Sequence, residues 1–156
     1  HTLGRITPFK TRGYVALAGT FGYELDVTKI PEEDRNMIPE QVAMYHKYND
    51  LVREGDYYRI ASYADNHYYD CYEVVAKDKG EALVTYVQVL GRPKMQSMRV
   101  RIPGLEPEGT YVIENAQDWP EIKQTQYKGA TLHYAGINIP PLTGDFQGRL
   151  MHLIRK

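Results

Sequence analysis

The chain has 156 residues, 42% of them hydrophobic, and its 19 Lys and Arg nearly balance its 20 Asp and Glu, for a formal net charge of −1. That length holds one domain with a real core, or a small domain plus part of a neighbour, but not two enzyme domains. Balanced charge leaves no net field to draw in a polyanion, so no nucleic-acid partner is expected; the longest uncharged apolar stretch, residues 14–19, falls far short of the ~20 residues that cross a bilayer, so no membrane partner is expected either.

The chain opens on His1 rather than Met, in mid-pattern, and reads as a segment of something longer. Tyr14-Val15-Ala16-Leu17-Ala18-Gly19 is a nearly continuous apolar run, which predicts a strand buried on both faces of a parallel sheet. A loop over 20–26 leads to Pro31-Glu32-Glu33-Asp34, where a proline and three acids favour the first turn of a short helix. Pro39 restarts the helix, Ile38, Val42, Tyr45 and Val52 fall on one face, and Gly55 stops it. Strand, loop and helix make one βα unit with no sheet of its own, so its apolar faces need partners elsewhere.

From Tyr57 onward the period switches to two. Candidate strands cover 57–62, 69–76, 81–90, 97–102, 110–114, 131–137 and 146–154, separated by Gly, Pro, Asn or Asp, and no further helix is evident. Seven short strands predict an antiparallel sandwich. Met98, Val100 and Ile102 point inward against Arg99 and Arg101 outward. Lys77-Asp78-Lys79-Gly80 is a hairpin turn in which Gly80 supplies the positive φ. Residues 115–130, around Trp119 and Pro120, read as a long loop. The expected organisation is therefore mostly β, with a boundary near residue 56 separating 1–56 from a sandwich over 57–156.

Among candidate chemistry, Glu24 and Asp26 lie just past the predicted strand, the end at which barrel enzymes place their sites. Most exposed acids are solvated or paired, and these two are expected to orient the loop. No CxxC, HxH or HExxH spacing occurs, so no metal site and no cofactor are expected. His67 and Cys71, four apart in extended chain, sit more than ~12 Å from each other. The lone Cys71 is expected to be a small buried apolar residue, and a chain without an internal disulfide or a signal segment fits a reducing, cytoplasmic setting. Tyrosine is abundant, with 14 copies including the doublets Tyr57-Tyr58 and Tyr68-Tyr69. These rings fit core or interface better than a sugar platform, although a carbohydrate-binding sandwich module stands as the alternative.

The stretch Gly4-Arg5-Ile6-Thr7, continuing through Thr11-Arg12-Gly13-Tyr14 to Phe21-Gly22-Tyr23-Glu24-Leu25-Asp26, resembles the end of the catalytic barrel in bacterial glycoside hydrolase family 36 α-galactosidases. The likeness runs on through Ile38-Pro39-Glu40-Gln41-Val42, His46-Lys47-Tyr48-Asn49-Asp50, Tyr86-Val87-Gln88-Val89-Leu90 and Gly144-Asp145-Phe146-Gln147-Gly148. It implies the last β-strand and α-helix of a (β/α)8 barrel over 1–56, followed by an antiparallel C-terminal β-sandwich over 57–156. It implies retaining hydrolysis of terminal α-galactosyl units of raffinose- and melibiose-type oligosaccharides, without metal or organic cofactor. The family's K-W-D and S-D-x-T-D motifs, which hold its two catalytic aspartates, do not occur in this chain, so the resemblance assigns no catalytic residue here. Thr20, Phe21, Gly22 and Tyr23 are left as possible contacts at the barrel rim. The implied partners are the remainder of the catalytic barrel, a galactosyl oligosaccharide through the complete enzyme, and further copies in a homotetramer.

Overall fold

The computed structural model describes residues 4–156; residues 1–3, where the expected barrel segment begins, lie outside them. The architecture is mixed but mostly β: helices come first, then an antiparallel arrangement of strands. Six strands form one sheet in the order β1-β2-β3-β8-β5-β6, with β1 Asp56–Ala61, β2 Tyr69–Val75, β3 Glu81–Gln88, β5 Thr110–Ile113, β6 Gln126–Lys128 and β8 Gln147–Arg155. A two-stranded sheet of β4 Met98–Val100 and β7 Ile137–Ile139 faces it, making a sandwich of very unequal halves.

The helical part differs from the sequence reading. Residues 14–19 are not a strand: α1 spans Phe9–Ala16 and the chain turns through 17–19. Its buried residues Phe9, Gly13, Tyr14 and Leu17 recur with the helical period, and Pro8 sits at the N-terminus where its missing N–H costs nothing. The apolar run starting at Tyr14 was only the C-terminal half of that pattern. Among the described residues before 56 there is no strand. α2 is the short helix Glu32–Asn36, and α3 runs Ile38–Glu54. The most deeply buried line on α3 is Gln41, Tyr48 and Leu51; Ile38, Val42, Tyr45 and Val52, the face read from sequence, flank it and are half-buried. Gly55 ends the helix in an extended conformation.

The apolar faces of α1 and α3 do have partners in this chain. Tyr14, Leu17, Tyr48 and Leu51 pack on Val74, Leu83 and Leu150, which share one face of the large sheet. The opposite face meets the small sheet: Val84, Tyr86, Met151 and Leu153 join Val100, Ile102, Ile137 and Ile139. As the alternation predicts, Val100 and Ile102 point inward while Arg99 and Arg101 are exposed. Residues 131–137 are mostly not a strand, because 131–135 form a π-helical turn and only β7 follows. A short helix, α4 Tyr63–Asn66, also interrupts the strand region. In the β2–β3 hairpin it is Lys79, φ 57°, and not Gly80, that takes the left-handed conformation, while Asp78 accepts the Gly80 N–H at 2.8 Å. The 115–130 segment is anchored: Trp119, 1% exposed, donates its indole N–H to the Leu150 carbonyl at 2.9 Å.

One carboxyl group is sealed between the sheets. Glu73 on β2 is fully buried; its Oε2 accepts the Gly104 N–H at 3.0 Å, and its Oε1 has no partner among the described residues. Burial pushes its pKa up from 4.5 to about 7, against the opposing effect of the Gly104 hydrogen bond. A raised carboxyl pKa means that the folded chain holds the proton more tightly than the unfolded chain. The resulting stabilisation is complete below about pH 4.5 and is lost as pH rises through about 7. Urea unfolding at pH 5 and pH 8 should show roughly 3 kcal/mol lost across that interval, and Glu73→Gln, which cannot ionise, should flatten the profile.

Candidate functional site

The loop that follows α1 carries the residues singled out from sequence, and its aromatic side chains are fixed by α3. Gln41, 6% exposed, is the centre of that arrangement: its Nε2 donates to the Phe9 carbonyl at 3.0 Å and its Oε1 accepts the Tyr23 hydroxyl at 2.8 Å. A Cβ at Gly13 would lie 2.6 Å from the Gln41 amide, so a larger residue there would have to displace the amide from its two partners. The Tyr23 ring stacks on Phe9 at 6.1 Å and meets Phe21 edge-on at 5.4 Å, and Phe21 stacks on Tyr45 of α3 at 5.3 Å. Four rings and one amide thus set the path of the loop. Thr20 and Gly22 are exposed between these anchors.

The two acids beyond them diverge in role. Asp26 accepts the Thr28 N–H at 3.0 Å and the Thr28 hydroxyl at 2.6 Å, and lies 3.2 Å from Lys29 Nζ. The Thr28 hydroxyl hydrogen bond, first among these contacts, holds its carboxyl below the usual range. Asp26 therefore shapes the loop. Glu24 is exposed and forms no ion pair among the described residues.

A second polar cluster, not anticipated from sequence, lies where the helices meet the sheet. His152 on β8 is 3% exposed, with Nε2 2.6 Å from Glu81 Oε1 and Nδ1 3.1 Å from Glu114 Oε2. Lys47 of α3 reaches the same Glu114 oxygen at 3.4 Å, and the imidazole packs edge-on against Tyr48 at 4.9 Å. Hydrogen bonding to His152, ahead of Lys47, keeps the Glu114 carboxyl below its ordinary value. A cleft of about 340 Å³ opens beside this cluster, lined by Lys10, Tyr14, Glu40 and Asp118 among others. Its carboxylates at 114 and 118 are engaged, the first by His152 and Lys47 and the second by the Asn115 amide at 3.1 Å. The arrangement joins helix to sheet and offers no free pair of acids for glycoside chemistry, which needs two carboxyl groups facing one sugar. The sequence signal was present: Leu150, His152 and Ile154 alternate on one strand face, so a histidine falls within a line of apolar residues covered by a helix.

Cys71 is fully buried, and burial pushes its thiol up, whereas His67 is exposed. Among the described residues no three His, Cys, Asp or Glu side chains converge to hold an ion. No helix among them is long and apolar enough to cross a membrane.

Set beside known proteins, residues 69–153 match the family description "Glycosyl hydrolase family 36 C-terminal domain", and residues 1–55 match "Melibiase". The chain belongs to glycosyl hydrolase family 36. The family relatives include the bifunctional alpha-galactosidase/sucrose kinase AgaSK of Mediterraneibacter gnavus, 36% identical over 94% of this chain and 15% of the relative. Alpha-galactosidase AgaA of Geobacillus stearothermophilus is 36% identical over 98% of this chain and 20% of its own length. The solved structure of an AgaA variant with raffinose superposes with a TM-score of 0.89 at 35% identity, covering 100% of this chain and 20% of that one. The family 36 chain described here thus spans a fifth or less of these curated relatives' length. None of the family 36 similarity depends on the strand expected at 14–19, since the whole chain superposes with a helix there.

Replacing Gln41 by Leu tests the loop anchor. It leaves the Phe9 carbonyl and the Tyr23 hydroxyl without their partner, and should cost about 1–3 kcal/mol in urea unfolding. Limited proteolysis within 20–30 should accelerate at the same time.

Proposed function

We propose that this chain serves a retaining α-galactosidase that removes terminal α-galactosyl units from raffinose- and melibiose-type oligosaccharides, and that it contributes structure rather than the catalytic aspartates. The observation that carries this reading is the near-complete match to family 36 relatives that are named α-galactosidases, one of them solved with raffinose and one variant with stachyose. The absence of K-W-D and S-D-x-T-D strings from the sequence supports the non-catalytic role.

On this reading residues 1–56 complete the catalytic barrel and residues 57–156 brace it. Ile6, Val15, Leu25 and Val27 expose apolar surface in the barrel part, which supports a further covering element there. Thr20, Phe21, Gly22 and Tyr23 then border the galactosyl site, with the rings of Phe21 and Tyr23 already fixed for that task. On the same reading the complete protein is a cytoplasmic homotetramer.

The test is a chimera in which this chain replaces the corresponding C-terminal fifth of AgaA, assayed on raffinose beside the isolated chain. The chimera should hydrolyse raffinose while the isolated chain should be inert on a chromogenic α-galactoside. A soluble, folded chimera without activity, or an isolated chain as active as a complete enzyme, would overturn the proposal.

A further inference from the structure

On the far side of the sandwich from α1 and α3, a cleft of about 410 Å³ lies between the edge strand β1 and the π-helical turn. Its walls are Arg59, Ile60, Arg101, Pro103, His133 and Tyr134, and no carboxylate lines it. Neither Arg59 nor Arg101 pairs with an acid among the described residues, in contrast to Arg12, Arg53 and Arg149. Arg99, two residues before Arg101 and on the same outer face, donates instead to the Ala135 carbonyl at 2.8 Å and holds the turn in place.

Three backbone irregularities build this cleft. The β1–β2 register shifts between Arg59 and Ala61, so Ile60 is an extra residue; a bulge of this kind re-aims the side chains beside it. The π-helical turn over 131–135, a geometry concentrated at functional sites, places His133 and Tyr134 side by side with rings 4.5 Å apart. Gly136 closes that turn at φ 71°, where a Cβ would meet the Val100 carbonyl at 2.4 Å, so no other residue fits. His133 Nδ1 lies 3.2 Å from the Pro103 carbonyl, which can only accept, so Nδ1 carries the hydrogen and Nε2 faces away from that bond. Tyr134 is 71% exposed, far more than an aromatic ring needs to be in a settled surface.

We infer that this cleft binds a phosphorylated monosaccharide. Two unpaired guanidinium groups match a phosphate monoester, since their forked N–H donors engage tetrahedral oxyanions in pairs, while His133 Nε2, an acceptor in the neutral ring once Nδ1 carries the hydrogen, suits a sugar hydroxyl. Ile60 and the Tyr134 ring supply an apolar wall against which a sugar ring rests. The volume, within the usual range for small-molecule sites, exceeds what inorganic phosphate alone would fill. The inference is independent of the reading of the chain as part of an α-galactosidase, because it uses none of the residues near the barrel rim.

Calorimetric titration of the 156-residue chain with galactose 6-phosphate, inorganic phosphate and galactose tests it. Galactose 6-phosphate should bind saturably and roughly tenfold more tightly than phosphate, and galactose should not saturate. Arg101→Gln should weaken galactose 6-phosphate roughly tenfold, as should Arg59→Gln, and Tyr134→Ala should bring it to the level of phosphate. All three side chains are exposed, and unchanged thermal midpoints will establish that the variants fold. No saturable binding, equal binding of phosphate and its sugar ester, or binding indifferent to Arg101→Gln and Arg59→Gln would overturn the assignment.

Discussion

Burial of the central strands on both faces is the constraint from which the rest of this structure follows. Every residue of β3 after Glu81 is buried, and β8 is buried from Leu150 to Leu153. On one face Leu83 and Leu150 need α1 and α3; on the other Val84, Met151 and Leu153 need β4, β7 and the segments around them. Each large apolar side chain so covered contributes about 1.5–3 kcal/mol, so neither covering layer can be removed without exposing half of the same strands. The helices are accordingly bound to the sheet by more than chain connectivity. Gly148 N–H donates to Thr11 Oγ1 at 2.8 Å, and Lys47 reaches Glu114, tying α1 and α3 to it by polar contacts as well.

The polar groups taken inside by this two-sided burial are nearly all matched. Gln88 on β3, fully buried, donates to the Leu142 and Gly144 carbonyls and accepts the Leu142 N–H, so a single amide organises the 142–144 loop. Asn115 and Trp119 share the Leu150 carbonyl. Among the described residues the exceptions are one Glu73 oxygen and the Tyr72 hydroxyl, which lack partners; burial raises the pKa of both groups, disfavouring a buried charge at either.

Much of the strand region was legible in the sequence because half-buried strands alternate and their ends carry Gly, Pro, Asn or Asp. β1, β2, β3, β5 and β8 fall within a residue or two of their expected places, and the change of period near 56 falls where α3 gives way to β1. The failures share a physical origin. At 14–19 and again at 131–137 a short apolar run suggests a strand, yet over so few residues helix and strand patterns cannot be told apart. In the first case Pro8 and Phe9, just upstream, held the missing evidence for a helix. In the second, Gly136 with its positive φ marks the break between a π turn and β7. β6, three residues long, has too little alternation to register. At the loop the aromatic residues are visible in the sequence but their anchor is not: Gln41 is a lone polar residue on the buried line of α3, and its importance comes from the carbonyl and hydroxyl that meet it across the fold.

The extra residue at Ile60 also bears on how molecules of this protein treat one another. β1 ends the large sheet and would otherwise present a straight row of unsatisfied amides and carbonyls to any passing chain. A bulge near its C-terminal end interrupts the spacing that a foreign strand would need, and the charged side chains of Asp56 and Arg59 add solvation to the same border. One inserted residue thereby keeps the sheet finite and discourages runaway stacking at high concentration.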